Sequence, residues 1–475
     1  MPKENSAGVR RREIVALGAA VAGGLAAGTR GNAAQRSPSG GEFLLRGGHV
    51  VSVDPTIGEI PRGDVHIRDG VIVAVRDGIS APGATVIDAR DQIIMPGFVD
   101  THWHMWTSMW RGMAADAADY FRYLRSMGEY YTVDDHYKAV LYAALEGVNA
   151  GITSCHNWAH GVRNFADLEA EMKALADSGL RARMGYVGVT RSGPTSAAYF
   201  RRALDWIAMN GQGRLSLSVL LDGATGDQFA ALVRLGRELG LKTISGHGNL
   251  FAAPDLMGPE FLVTHGVGLT PEQIRVIAAR GVKIGLCPGT DTLSGAGLPP
   301  VQALLSGGVP LSNISFTVDT TAQTPADPFE SLRTLVAAGR MQQAGGSGDA
   351  APGRPSPKWL LNYRQAVELG TLSGANVLGI ADQTGSLTPG KRADVIMVRK
   401  DDINMLPASD TDPTMQLIQH AQPANVDTVF IDGRLRKRAG RLVGVEVRKV
   451  VAEVAAVQAA LRQRAGAAGL PGTVR

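Results

Sequence analysis

Apolar residues along this chain fall into short β-type runs near both ends, and into runs alternating with amphipathic stretches between them. From Phe43 to Ile87 the runs are Phe43-Leu44-Leu45, Val50-Val51-Ser52-Val53, Asp64-Val65-His66-Ile67 and Val71-Ile72-Val73-Ala74-Val75, punctuated by Asp69-Gly70 and Asp77-Gly78. The same texture returns in Ala393 to Val398 and Val426 to Gly433. Two distant halves therefore predict one small β domain. Between them apolar runs of strand length alternate with helical patterns, which predicts parallel β/α units.

Several units can be placed by their punctuation. Thr270-Pro271-Glu272-Gln273 offers an N-cap, a proline at the first helical position and a capping-box glutamine, and Gly281 supplies the stop. The preceding strand is then Phe261 to Thr264, with His265 at its C-terminal end. By the same logic Val282 to Leu286 ends at Cys287-Pro288. A helix from Gln228 to Glu238 stops at Gly240, the strand Lys242 to Ser245 runs into His247, and Ile314 to Val318 is closed by Asp319. About 290 residues of such units suit an α/β fold, a (β/α)8 TIM barrel, whose working groups gather at the C-terminal strand ends. The expected organisation is residues 1–33 as an export signal, 34–41 as a linker, 42–92 with 382–445 as a β-sandwich, 93–381 as the barrel, and 446–475 as a C-terminal helix and tail. In that last segment Val447, Val450, Val451, Val454, Val457 and Leu461 recur at helical spacing and predict a docking face. Residues 343–357 are rich in Gly, Ala and Pro and read as a mobile loop.

Composition narrows the partners. The formal charge is +4, and residues 1–33 hold five basic against two acidic side chains, so the remainder is nearly neutral and lacks the clustered basic face that nucleic acid requires. Two cysteines, Cys155 and Cys287, exclude a disulfide framework; both are expected as free thiols without a basic partner. Arg10-Arg11-Arg12 followed by a weakly apolar run to about Ala27 and small residues to Ala33 reads as a cleaved signal of the twin-arginine type, recognised by the twin-arginine export machinery. That run is shorter than a membrane span, and no later stretch qualifies, so the mature protein is expected to be exported, periplasmic or secreted, without a membrane anchor.

The candidate chemistry begins at His102-Trp103-His104. Side chains two apart on a strand face the same way, so both imidazoles can point into one cavity. His-x-His alone is weak, but a barrel would bring His247, His265 and Asp319 to the same end. A divalent metal wants about four N/O ligands with one position left for water. His102, His104, His247 and Asp319 can supply them, giving a metal-bound hydroxide as nucleophile with Asp319 beside it to take the proton.

The stretch Met95-Pro96-Gly97-Phe98-Val99-Asp100-Thr101-His102-Trp103-His104, with His247, Thr264-His265-Gly266, Thr317-Val318-Asp319 and Gly385 to Asp394, resembles the amidohydrolase superfamily, in its triazine-hydrolase and cytosine-deaminase branch. The resemblance runs from about Phe43 to Val443. It implies a metal-dependent hydrolase of carbon–nitrogen bonds other than peptide bonds, acting on a small cyclic or aromatic molecule. His102, His104, His247 and Asp319 would be its metal ligands, and His265 the group that polarises substrate or water. One ion is expected, because the fourth strand, Leu215 to Leu221, has no lysine to bridge two; zinc is favoured over iron. Family habit adds a homodimer. One departure stands out: the branch carries a glutamate three residues after the fifth-strand histidine, and His247-Gly248-Asn249-Leu250 has leucine there. General acid or base help is typically worth 10²- to 10⁴-fold, so either another group, such as Asp291, takes over, or the site serves dehalogenation or a lyase or dehydratase step. A non-catalytic binding protein is the remaining alternative.

Around this centre Trp103, Trp106 and Trp110, with Trp158, are expected as aromatic walls for a flat substrate. His156, Asn249 and Asp291 are expected to touch it as well. His49, His66, His136 and His420 lie outside the strand ends and read as structural.

Overall fold

The computed structural model describes residues 41–113, 117–187, 189–190, 193–344, 358–407 and 412–467. The expected export signal, the linker up to residue 40, and nearly all of the 343–357 segment lie outside them. Among the described residues no helix is long and apolar enough to cross a membrane.

Strands from the two ends of the chain build one nine-stranded sheet. Its junction is Gln92–Pro96 against Val395–Arg399, antiparallel in the register Met95 to Ile396. Residues 93–96 thus belong to this sheet, and the barrel starts at Phe98. The two strands on either side of that boundary are separated by Gly97 alone, where a Cβ atom would lie 2.1 Å from the Thr153 side chain. Only glycine allows this close approach. The sheet buries its own cluster, which includes Leu45, Val65, Ile94, Val395 and Phe430.

The barrel consists of eight strands: β1 (Phe98–Trp103), β2 (Ile152–Ala159), β3 (Arg181–Val187), β4 (Leu215–Leu220), β5 (Ile244–Gly246), β6 (Phe261–Thr264), β7 (Lys283–Leu286) and β8 (Ile314–Phe316). All seven neighbouring pairs are parallel, in chain order. The ring closes just past β8: Asp319 N donates to His102 O at 2.9 Å, and His104 N donates to Asp319 O at 2.6 Å. The helix Pro271–Arg280 has the expected capping box at Thr270 and Gln273, and ends at Gly281 with φ +65°. That left-handed stop turns the chain into β7, while His265 directly follows the end of β6.

The C-terminal helix Val447–Ala467 docks through Val457, Leu461 and Ala465, whereas Val447 and Val451 are exposed. The docking face therefore lies further along the helix than the valine spacing suggests. From Val454 onward the helix packs against the core, and Gln458 Nε2 donates to Met109 O and Arg111 O, each at 2.9 Å.

Candidate metal centre and substrate cavity

Each chemically active side chain sits at a C-terminal strand end. His102 and His104 belong to the end of β1, His247 follows β5, His265 follows β6, Cys287 follows β7 and Asp319 follows β8. His265 and Asp319 both adopt left-handed backbone, with φ of +67° and +62°. Such a conformation is strained for a non-glycine residue and tends to persist where the surrounding structure enforces it. Here the strand ends turn sharply and aim both side chains at the barrel axis. Asp100, fully buried, braces the same corner: Oδ1 accepts from His102 N at 2.9 Å and Oδ2 from Val318 N at 2.7 Å.

The donor atoms converge. One each from His102, His104 and His247 lie within 4.8 Å of one another, and so do those of His102, His265, Cys287 and Asp319. Asp319 Oδ1 stands 3.1 Å from His102 Nε2 and 3.6 Å from His104 Nε2. Trp158 packs edge-on against the His102 ring, 4.1 Å between centroids. Burial, reinforced by the neighbouring imidazoles, holds the His102 and His104 pKa values well below the ordinary histidine range. Both rings are thus neutral, the form in which imidazole binds metal. His102 Nδ1 is buried with no hydrogen-bond partner. A crowd of neutral nitrogens beside a carboxylate, one nitrogen orphaned, fits a divalent cation.

Around this cluster lie two supports. Asp222, two residues past β4, accepts from His247 Nδ1 at 2.9 Å and faces His160 Nε2 at 3.1 Å. Burial opposes its ionisation, but His247 and His160 overcome it and hold the carboxyl well below its usual range. His160 in turn lies 3.3 Å from His104 through the two Nδ1 atoms. Asp291 Oδ1 bonds His265 Nδ1 at 2.8 Å, and its Oδ2 is buried without a partner. Burial alone would push the His265 pKa down; Cys287, Asp319 and Asp291 together raise it well above the ordinary value. Cys287 thus does have a basic neighbour, contrary to the expectation, and is a free, buried thiol.

Over the cluster opens a cavity of about 830 Å³. Its polar floor includes His104, His160, His247, His265 and Asp319, and its apolar side is Tyr120, Phe121, Leu124 and Val267. The expected tryptophan walls are not there. Trp103, Trp106 and Trp110 are fully buried and pack in the core, Trp103 over Gly147 and Trp106 over Gly161. Trp103, between His102 and His104 on β1, falls on the opposite face of the strand, and the loop after β1 folds back as a 3-10 helix, Met105–Trp110, that turns the other two rings away from the mouth. His156 is also corrected: its ring is buried beneath the site, with Nε2 2.7 Å from Ser218 Oγ and Nδ1 3.1 Å from Thr101 O. Asn249 does not line the cavity; its Nδ2 is committed to Leu221 O at 3.1 Å. Leu250 is buried and does not line it either. Asp291 does line it. Sequence reasoning missed Asp222 and the apolar side on helix Ala117–Ser126. The clue to Asp222 was Leu221-Asp222-Gly223, an acid at a strand end before a turn.

Residues 239–436 match the model of the Amidohydrolase family. Over that stretch the chain is similar to the amidohydrolase superfamily. A 5'-deoxyadenosine deaminase of Methanosarcina barkeri is 27% identical over 443 residues, covering 86% of this chain and 96% of its own. A 5-methylthioadenosine/S-adenosylhomocysteine deaminase of Desulforudis audaxviator is 27% identical over 452 residues, covering 86% and 96%. Among solved structures, a zinc-bound adenosine deaminase from Xanthomonas campestris superposes with a TM-score of 0.75 at 21% identity, covering 90% of this chain and 100% of that one. Atrazine chlorohydrolase from Arthrobacter aurescens, complexed with zinc, gives 0.73 at 20% identity, covering 88% and 100%. These amidohydrolases share the fold, and this chain is a hydrolase of carbon–nitrogen bonds other than peptide bonds.

Proposed function

We propose that this amidohydrolase releases ammonia or an amine from a small aminated ring, with water supplying the oxygen that replaces the nitrogen. The observation that carries the reading is the meeting of the His102, His104 and His247 imidazoles with the Asp319 carboxylate on the floor of a cavity with an apolar side. His102, His104, His247 and Asp319 would hold one divalent cation, zinc before iron. When bound, it would supply Lewis acidity and make water acidic enough to ionise near neutral pH.

The chain's own groups do the rest. Asp319 accepts a proton from water. His265, oriented by Asp291, donates to the ring atom that gathers charge as the oxygen adds. The carbon–nitrogen bond then breaks and the nitrogen leaves with a proton. In place of an acid at position 250, Asp291 is the carboxylate free to relay that proton: its Oδ2 is unpaired, whereas Asp222 is engaged by two histidines. Tyr120, Phe121 and Leu124 take the flat face of the ring and keep water from it. The adenosine-type and triazine compounds named for the relatives are rings of this class.

The test is to strip metal with a chelator, reload zinc, and follow ammonia and product mass with aminated purines and triazines. Metal-dependent ammonia release supports the reading. Turnover that survives metal removal refutes it, and a product lacking only halide or water assigns the site to the other chemistry that the leucine at position 250 favours. We also propose that residues 1–33 direct export; paired Arg11→Lys and Arg12→Lys changes should then leave the full chain in the cytoplasm, and unchanged secretion would refute that.

A further inference from the structure

The opposite end of the barrel carries a feature that catalysis does not use. Where β3 and β4 begin and the chain enters β5, a cavity of about 420 Å³ is lined by Arg181, Arg183, Arg214 and Lys242, and by no carboxylate among the described residues. Arg181 is compensated, with Nε 2.8 Å from Asp394 and Nη2 3.4 Å from Asp432. Among the described residues the other three make no ion pair with a carboxylate, and Arg214 feels Asp432 only as a counter-charge already bonded to Arg181 and Arg392.

Arg183, 4% exposed, donates only to neutral oxygens: Nε to Ser216 Oγ at 3.1 Å, and Nη1 to Thr243 Oγ1 and the Leu378 carbonyl. Arg214, also 4% exposed, bonds Gln212 Oε1 at 3.1 Å through Nη2, while its Nε and Nη1 are buried with no partner. Lys242 reaches the Gly379 carbonyl at 3.4 Å from the exposed rim. Buried cations are ordinarily paired, because desolvating an unpaired charge is expensive, and a planar guanidinium with free donors is the side chain best matched to an oxyanion. Burial pushes the pKa values of Arg183 and Arg214 down to about 10, with Arg436 adding to the effect on Arg214; both remain charged at neutral pH. Leu204, Ile207, Leu239 and Leu241 form an apolar part of the wall, beside Ser216 and Gln383.

We propose that this cavity binds a small oxyanion, a carboxylate or phosphate, with Arg214 and Arg183 as its buried donors and Lys242 at the entrance. The apolar wall would accept a short carbon skeleton attached to the charged group. The site lies at the N-terminal strand ends, whereas the metal centre lies at the C-terminal ends, so occupancy of the two can be separated.

Metal-loaded full-length protein is titrated with inorganic phosphate and with citrate at constant ionic strength set by sodium chloride, reading heat and thermal stability. Phosphate or citrate is expected to raise Tm where chloride does not, and Arg214→Gln is expected to weaken binding at least about tenfold while leaving turnover unchanged. With an unpaired buried charge removed, that variant should also match or exceed the wild-type Tm when no oxyanion is present. An anion caught at the metal would bind Arg214→Gln as tightly as wild type, which overturns the proposal, as does equal stabilisation by chloride. If Arg214→Gln does not fold, Lys242→Ala decides: weaker binding supports the site, and unchanged affinity rejects it.

Discussion

Asp222→Asn removes one charge from a carboxylate that touches no substrate-forming atom of the cluster directly but steers His247. In the native arrangement Asp222 Oδ1 accepts from both His247 Nδ1, at 2.9 Å, and His247 N, at 3.2 Å, which leaves the other ring nitrogen free to face the metal position. A carboxylate behind a metal-bound imidazole fixes its orientation and raises its basicity, and losing such support typically costs about 10- to 100-fold in metal affinity. The geometry narrows that range. A hydrogen bond to a charged partner is worth about 1.5–3 kcal/mol and a neutral one about 0.5–1.5, so asparagine forfeits about 1–1.5 kcal/mol at His247. The Asp222 side chain is 20% exposed, so solvent screening keeps the effect at the lower end of the range of about 10- to 100-fold. The expected result is zinc binding about tenfold weaker, or about 1.4 kcal/mol, measured by competition against a chelating dye, with turnover largely restored at saturating zinc. Affinity within twofold of wild type would show that His247 is not a ligand oriented by Asp222.

Asp291→Asn should lower kcat by about 10²- to 10⁴-fold with zinc content unchanged, because His265 loses the carboxylate that orients it and that relays the proton; near-normal kcat would remove Asp291 from the proton path. Leu250→Ala opens a hole in a buried wall rather than in the cavity, and should cost about 2–5 kcal/mol in urea unfolding with little change in kcat. Stability should also fall in mild acid. Burial, aided by the Arg183 charge, lowers the His156 pKa to about 3 against an ordinary 6.5. Between those values the unfolded chain binds a proton that the native chain refuses, so its contribution is intact above pH 6.5 and is lost by about 1.4 kcal/mol per pH unit as pH falls toward 3. Urea titrations from pH 6.5 to 4.5 should show this slope diminished in His156→Asn; an equal slope in both proteins would refute it.

Local chemistry in the chain was enough to determine the barrel units, because each rests on neighbours in sequence: Thr270 with Gln273 and Gly281 bounds one helix, and Phe261–Thr264 is a strand as expected. The same holds for the pairing of His102 with His104, since the two-residue period of a strand sets both on one face. Which way a loop folds is a different matter. Trp106 and Trp110 looked like cavity walls on position alone, yet a 3-10 turn draws them into the core, where Trp106 packs on Gly161, more than forty positions away. Asp222 could be read locally as an acid at a strand end, but its significance comes from His160 and His247, which only the curvature of the barrel brings beside it. The sequence by itself determined the donor types and their strand ends, through short-range periodicity and capping. Tertiary structure alone decided which donors share a point, through the closure of β8 onto β1 at Asp319, whose backbone and carboxylate both meet His102 and whose left-handed φ no local pattern announces.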